Sequence, residues 1–70
     1  MKDSFNIFHW EFYTQDNEKT VYVYEKRSGD VIGHMTHIDD LDVIRKILDE
    51  ENDWDEDDVN YFIEENIEWY

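Results

Sequence analysis

The chain has 70 residues, no Cys, no Pro and a formal net charge of −14 at neutral pH. That length fits a single domain, residues 1–70, and a domain this small buries only about 60% of its extended surface, here without a disulfide to staple it. Aromatic residues make up 17% of the chain, which excludes a disordered acidic tail. No signal peptide or membrane span is legible from Met1-Lys2-Asp3 onward, so the expected location is the cytoplasm, including that of a phage-infected host.

The first half reads as strands. From Phe5 to Tyr13 the residues Phe8, Trp10 and Phe12 alternate with Ile7, His9 and Glu11, the period of a strand. A polar break, Gln15 to Lys19, leads to Thr20-Val21-Tyr22-Val23-Tyr24-Glu25, which is β-branched and aromatic throughout. Arg27-Ser28-Gly29-Asp30 is a turn in which Gly29 supplies a positive φ. Val31 to Thr36 gives a third strand, with Gly33 as a candidate bulge. On this reading Phe5 and Ile7 fall on the sheet face opposite Trp10 and Phe12. That face then keeps apolar surface, either as ordinary exposed aromatics or as a contact in a dimer or with a partner.

The second half reads as helices. Ile38, Leu41, Ile44, Ile47 and Leu48 form one stripe at helical spacing, with Thr36 as N-cap and Asp39 in the capping-box position. Glu50-Glu51-Asn52-Asp53-Trp54 interrupts the stripe. A second helix starts near Asp55 and buries Val59, Phe62, Ile63, Ile67 and Tyr70. The expected fold is α+β: a three-stranded antiparallel sheet followed by two C-terminal helices on one face, β-β-β-α-α.

Charge is distributed unevenly. Residues 39–70 hold 14 acids and two bases, Arg45 and Lys46, and eight of the ten residues from Asp49 to Asp58 are acidic. One reading of that run is a solvated connection. A second is a calcium loop. In the register from Asp49, Trp54 stands where a Gly is required and Asn60 where a Glu is required; in the register from Asp53, Asp58 occupies the Gly position. A dedicated metal site is therefore not expected. The third reading is phosphate mimicry: carboxylates four apart on a helix lie about 5–6 Å from one another, a spacing that basic nucleic-acid channels accept through charge. The candidate contacts are Asp39, Asp40, Asp42, Asp49, Glu50, Glu51, Asp53, Asp55, Glu56, Asp57, Asp58, Glu64, Glu65 and Glu68. Trp54, in mid-run, is either an interface anchor or a hydrophobic cap over the helix ends.

Other chemistries find little support. His34 and His37 are three apart, a spacing that on a strand points to opposite faces and converges only if the strand ends between them, so ordinary structural histidines are expected. No Cys nucleophile, G-x-S-x-G or phosphate-cradling loop is present, and a domain of this size rarely encloses a substrate, so an enzyme is not expected. Direct nucleic-acid binding is opposed by the sign of the charge. No cofactor is implied.

In size, lack of Cys and the acidic stretches Ile38-Asp39-Asp40-Leu41-Asp42 and Asp49 to Asp58, the chain resembles small DNA-mimic proteins of phages and mobile elements. Anti-CRISPR and anti-restriction proteins are of this type. The resemblance implies stoichiometric inhibition: the protein, as monomer or homodimer, occupies the DNA-binding channel of a basic nucleic-acid-binding partner in host defence. The alternative is an immunity protein or antitoxin that neutralises a basic nuclease toxin. A third possibility is a small structural or regulatory phage protein whose acidity aids solubility.

Overall fold

The computed structural model describes residues 4–15, 19–49 and 53–70. Four strands come first: β1 (Ser4–Ile7), β2 (Trp10–Tyr13), β3 (Tyr22–Glu25) and β4 (Asp30–Met35). Two helices follow, α1 (Leu41–Asp49) and α2 (Glu56–Asn66), and the chain closes with β5 (Ile67–Trp69). All five strands form one antiparallel sheet in the order β1-β2-β3-β4-β5. The class is α+β, but the expected three-stranded sheet followed by two helices is corrected to five strands, the last of them after the helices.

The first correction lies in Phe5–Tyr13, which is a hairpin and not one strand. Phe8 and His9 make a two-residue turn, with Phe8 at φ 53°, and Ile7 pairs with Trp10 and Phe5 with Phe12. Reversing the chain resets the phase of the alternation. Phe5 and Ile7 therefore face the same side as Trp10 and Phe12 and pack against the core. The apolar face expected on the opposite side is not formed. Phe8 itself is left 51% exposed on the turn.

The second correction is at the C-terminus. α2 stops at Asn66, and Ile67 is already extended, with φ −104° and ψ 149°. β5 then pairs with the free edge of β4 through Met35–Ile67, His34–Glu68 and Gly33–Trp69. Ile67 is half-buried and Tyr70 exposed, so neither belongs to a helical stripe. The orphan carbonyls at the end of α2 find donors. The Thr36 backbone N–H and hydroxyl both donate to the Asn66 carbonyl, at 2.7 and 3.0 Å, and the Asn66 amide donates to the Phe62 carbonyl at 2.9 Å. Thr36, expected to open α1, instead closes α2.

α1 begins at Leu41, because Asp40 takes over the capping role. The Asp42 N–H donates to Asp40 Oδ1 at 2.9 Å, and the Val43 N–H to the Asp40 carbonyl at 3.1 Å. Ile38 stays outside the helix but packs against the core.

Gly33 permits the β4–β5 pairing. A Cβ there would stand 2.3 Å from the Glu68 carbonyl oxygen and 2.8 Å from the Ile67 side chain. The bulge expected at Gly33 falls on its neighbour: Val23 pairs with Gly33 and Tyr24 with Val31, leaving Ile32 as the extra residue. Gly29 takes the positive φ expected of it, 76°.

The core lies between one face of the sheet and the two helices. Trp10 and Phe12 of β2, Val23 of β3 and Met35 of β4 meet Leu41, Ile44 and Leu48 of α1 and Val59 and Ile63 of α2, together with Val21. Phe12, Val21, Val23, Ile44, Val59 and Ile63 have no solvent contact, and each such burial stabilises by about 1.5–3 kcal/mol. Among the described residues no polar or charged side chain is buried. Hence no described charge is enclosed in the core.

Candidate functional site

Most of the acids that were singled out lie on the helical layer, on the outside of the core. Asp39 and Asp40 precede α1 and are exposed, and Asp42 in its first turn accepts a 2.8 Å bond from Arg45 Nη1. Arg45 Nη2 also reaches the Ser4 carbonyl at 3.3 Å, tying α1 to β1. Asp49 ends α1; its side chain, together with Glu50 and Glu51, lies outside the described residues, and so does part of the calcium-loop register from Asp49.

The N-terminus of α2 is built from acids alone. The Asp58 N–H donates to Asp55 Oδ1 at 2.8 Å, and the Asp55 N–H to Asp58 Oδ2 at 3.4 Å, a reciprocal capping box. Glu56 and Asp57 complete the first turn, where the helix dipole favours negative charge. Further along, Asn60 donates to Glu64 at 2.6 Å and the Tyr61 hydroxyl to Glu65 at 3.3 Å. Glu64 and Glu65 occupy the last turns, where the dipole disfavours anions, and no base stands in the last turn. Asp39, Asp53 and Asp57 are exposed and engage no side chain among the described residues.

Glu68 departs from this layer. It sits in β5 opposite His34, on the far face of the sheet. Trp54 is half-buried and meets Phe62 edge-on at 5.9 Å, against the core. That is the geometry of the hydrophobic cap. Its indole N–H is buried without a hydrogen-bond partner among the described residues.

Two features were not legible in the sequence. One is a cleft of about 570 Å³ lined by His9, Glu25, Arg27, Ser28, Glu56 and Asp57. His9, from the first turn, lies over Trp10 at 3.8 Å and between two carboxylates. Its Nδ1 is 2.8 Å from Glu56 Oε1 but out of line for a hydrogen bond, and its Nε2 is 3.7 Å from Glu25. Arg27 adds a 3.9 Å contact to Glu56. These contacts link the β1–β2 turn, the end of β3 and the start of α2. No local signal could have revealed them, since the three segments meet only in the fold. Among the described residues no group of three His, Asp or Glu side chains is arranged to hold a metal.

The other feature is the open face of the sheet. The strand register aligns Tyr13, Tyr22, His34 and Glu68 in one row across β2, β3, β4 and β5, with Glu11 beside Tyr24 in the next row. Tyr13 and Tyr22 stack at 5.4 Å. Tyr70 closes over His34, its hydroxyl 3.1 Å from Nδ1. Burial pushes the Tyr13 phenol up, Tyr70 and Glu11 push the same way, and a hydrogen bond with Gln15 opposes them. Tyr13 therefore remains neutral at physiological pH.

No family model, curated protein or solved structure matches this chain. Among the described residues no helix is long and apolar enough to cross a membrane.

Proposed function

We propose that the protein is a stoichiometric inhibitor, acting in the cytoplasm of a host cell, whose acidic helical layer occupies the nucleic-acid channel of a basic defence protein. The observation that carries this reading is the excess of acids on the outside of the helical layer, which its few bases leave uncompensated. Glu64 and Glu65 oppose the dipole at the end of α2, at about 0.3–1 kcal/mol each. Asp39, Asp53 and Asp57 extend into solvent without a side-chain partner among the described residues. Two bases, Arg45 and Lys46, stand against 14 acids in residues 39–70. Solubility needs a net charge of only about 2–8 in a small domain, well short of −14. Excess anions gathered on and beside the helices suit a partner whose own surface is cationic because it holds phosphates.

The test is competition. The tagged protein is immobilised, host lysate is passed over it, and duplex DNA is added to the retained partner. Displacement of the partner by duplex supports occupancy of a nucleic-acid channel. A partner that holds equally tightly with saturating duplex contradicts it. Reversal of Asp39, Asp53 and Asp57 to Lys should weaken recognition without touching the caps Asp40, Asp55 and Asp58, and unchanged capture by that variant moves the contact surface elsewhere.

A further inference from the structure

The open face of the sheet carries chemistry that the acidic layer does not. Among the described residues neither helix covers it, since α1 and α2 both pack on the opposite face. Its residues are set by register: Tyr13, Tyr22 and His34 in one row, Glu68 at the end of that row, and Glu11 against Tyr24. A groove of about 470 Å³ runs there, lined by Glu11, Tyr13, Gln15, Tyr24 and Val31. Tyr13, Tyr22 and Tyr24 are half-buried, so their rings are fixed while part of each remains accessible.

Tyrosine ring faces attract cations, and guanidinium groups stack on them more readily than ammonium groups do. Carboxylates within the same rows add charge that an arginine fork can pair with. We infer that this face is a second contact surface, which takes an extended, arginine-bearing segment of a protein partner. Charge selects that occupant. A second copy of the chain also carries −14 and is repelled, and a nucleic acid has the same sign. A purely apolar segment would leave Glu11 and Glu68 facing it without a counter-charge. The inference rests on the reading above that the partner is basic, and it adds that the partner engages both faces of the domain.

The probe is a pair of peptides of equal length and charge, oligoarginine and oligolysine, titrated into the full isotope-labelled chain and followed by nuclear magnetic resonance. The expected result is movement of the Tyr13, Tyr22, Tyr24 and His34 ring signals with oligoarginine. Arginine should bind tighter than lysine by roughly two- to fivefold per engaged ring. Tyr24→Leu, which keeps an apolar side chain in the row, should reduce that preference. The Asp39, Asp53 and Asp57 lysine variant should retain it, which separates this surface from the helical layer even if the inhibitor reading fails. Shifts confined to the helices, or equal affinity for the two peptides, would overturn the inference.

Discussion

At the scale of single residues, two backbone positions decide where strands begin and meet. Phe8 holds a positive φ of 53° on the tight turn between β1 and β2, a conformation that costs a non-glycine residue about 1–2 kcal/mol. Since Phe8 is half exposed, little packing offsets that cost. Phe8→Gly should therefore raise stability by about 1 kcal/mol in urea unfolding, and a loss would mean that the ring contributes more than the strain it imposes. Gly33 is the opposite case. A methyl group there would stand 2.3 Å from a backbone oxygen of β5, an atom that moves only if the strand moves. Gly33→Ala should cost about 1–3 kcal/mol, the range for overpacking. It should also speed amide exchange at Tyr70, whose N–H donates to the Ile32 carbonyl at 3.0 Å. Normal protection at Tyr70 in that variant would show that β5 docks without needing the glycine.

At the scale of elements, the capping of α2 carries the clearest prediction. Asp55 and Asp58 satisfy one another's backbone N–H groups, so Asp55→Ala should lose about 0.5–2 kcal/mol. Asp57→Ala, outside the box but in the same first turn, should lose only the dipole contribution, about 0.3–1 kcal/mol. Equal losses for both in thermal unfolding would mean that the box adds nothing beyond helix-dipole charge. Asp55 as the start of α2 was legible because an N-cap is a local event, as was the positive φ at Gly29. The strands were legible as apolar and β-branched runs, but not all of their ends. A turn made of Phe8 and His9 has no Gly or Asn to announce it, and the alternation of Phe8, Trp10 and Phe12 runs through it unbroken. The final strand was hidden for a related reason. Ile67 and Tyr70 continue the helical spacing of Val59 and Ile63, and only the vacant edge of β4, opened by Gly33, draws them into the sheet. Thr36 carried a genuine capping signal, yet the carbonyl that it serves belongs to Asn66, thirty residues on in the chain. The acids themselves were legible in full from the sequence. Their division between two faces was not, because Glu68 changes sides with the strand that carries it, and the tyrosine row exists only once five strands are in register.

At the scale of the whole molecule, the domain is held by a small apolar core against its own field. A charge of −14 on 70 residues is repulsive at every exposed site, and added salt screens such pairs over about 10 Å at 0.1 M. The free protein should therefore melt higher as salt rises, by roughly 4–8 °C for each kcal/mol of repulsion relieved in a domain of this size. A melting temperature independent of salt would show that the carboxylates are individually compensated. The complex should respond in the opposite sense. The free domain gains stability as ions screen it, while recognition by a cationic channel loses strength through the same screening.

That opposition gives the most direct measurement of the central claim: the affinity of the purified partner complex as a function of salt, for the native chain and for the Asp39, Asp53 and Asp57 lysine variant. If the acidic layer stands in for a phosphate backbone, log affinity falls steeply and linearly with log salt concentration for the native chain. The variant should then bind more weakly and with a shallower slope. A complex whose affinity is flat in salt, or whose slope is the same for both proteins, would contradict the account.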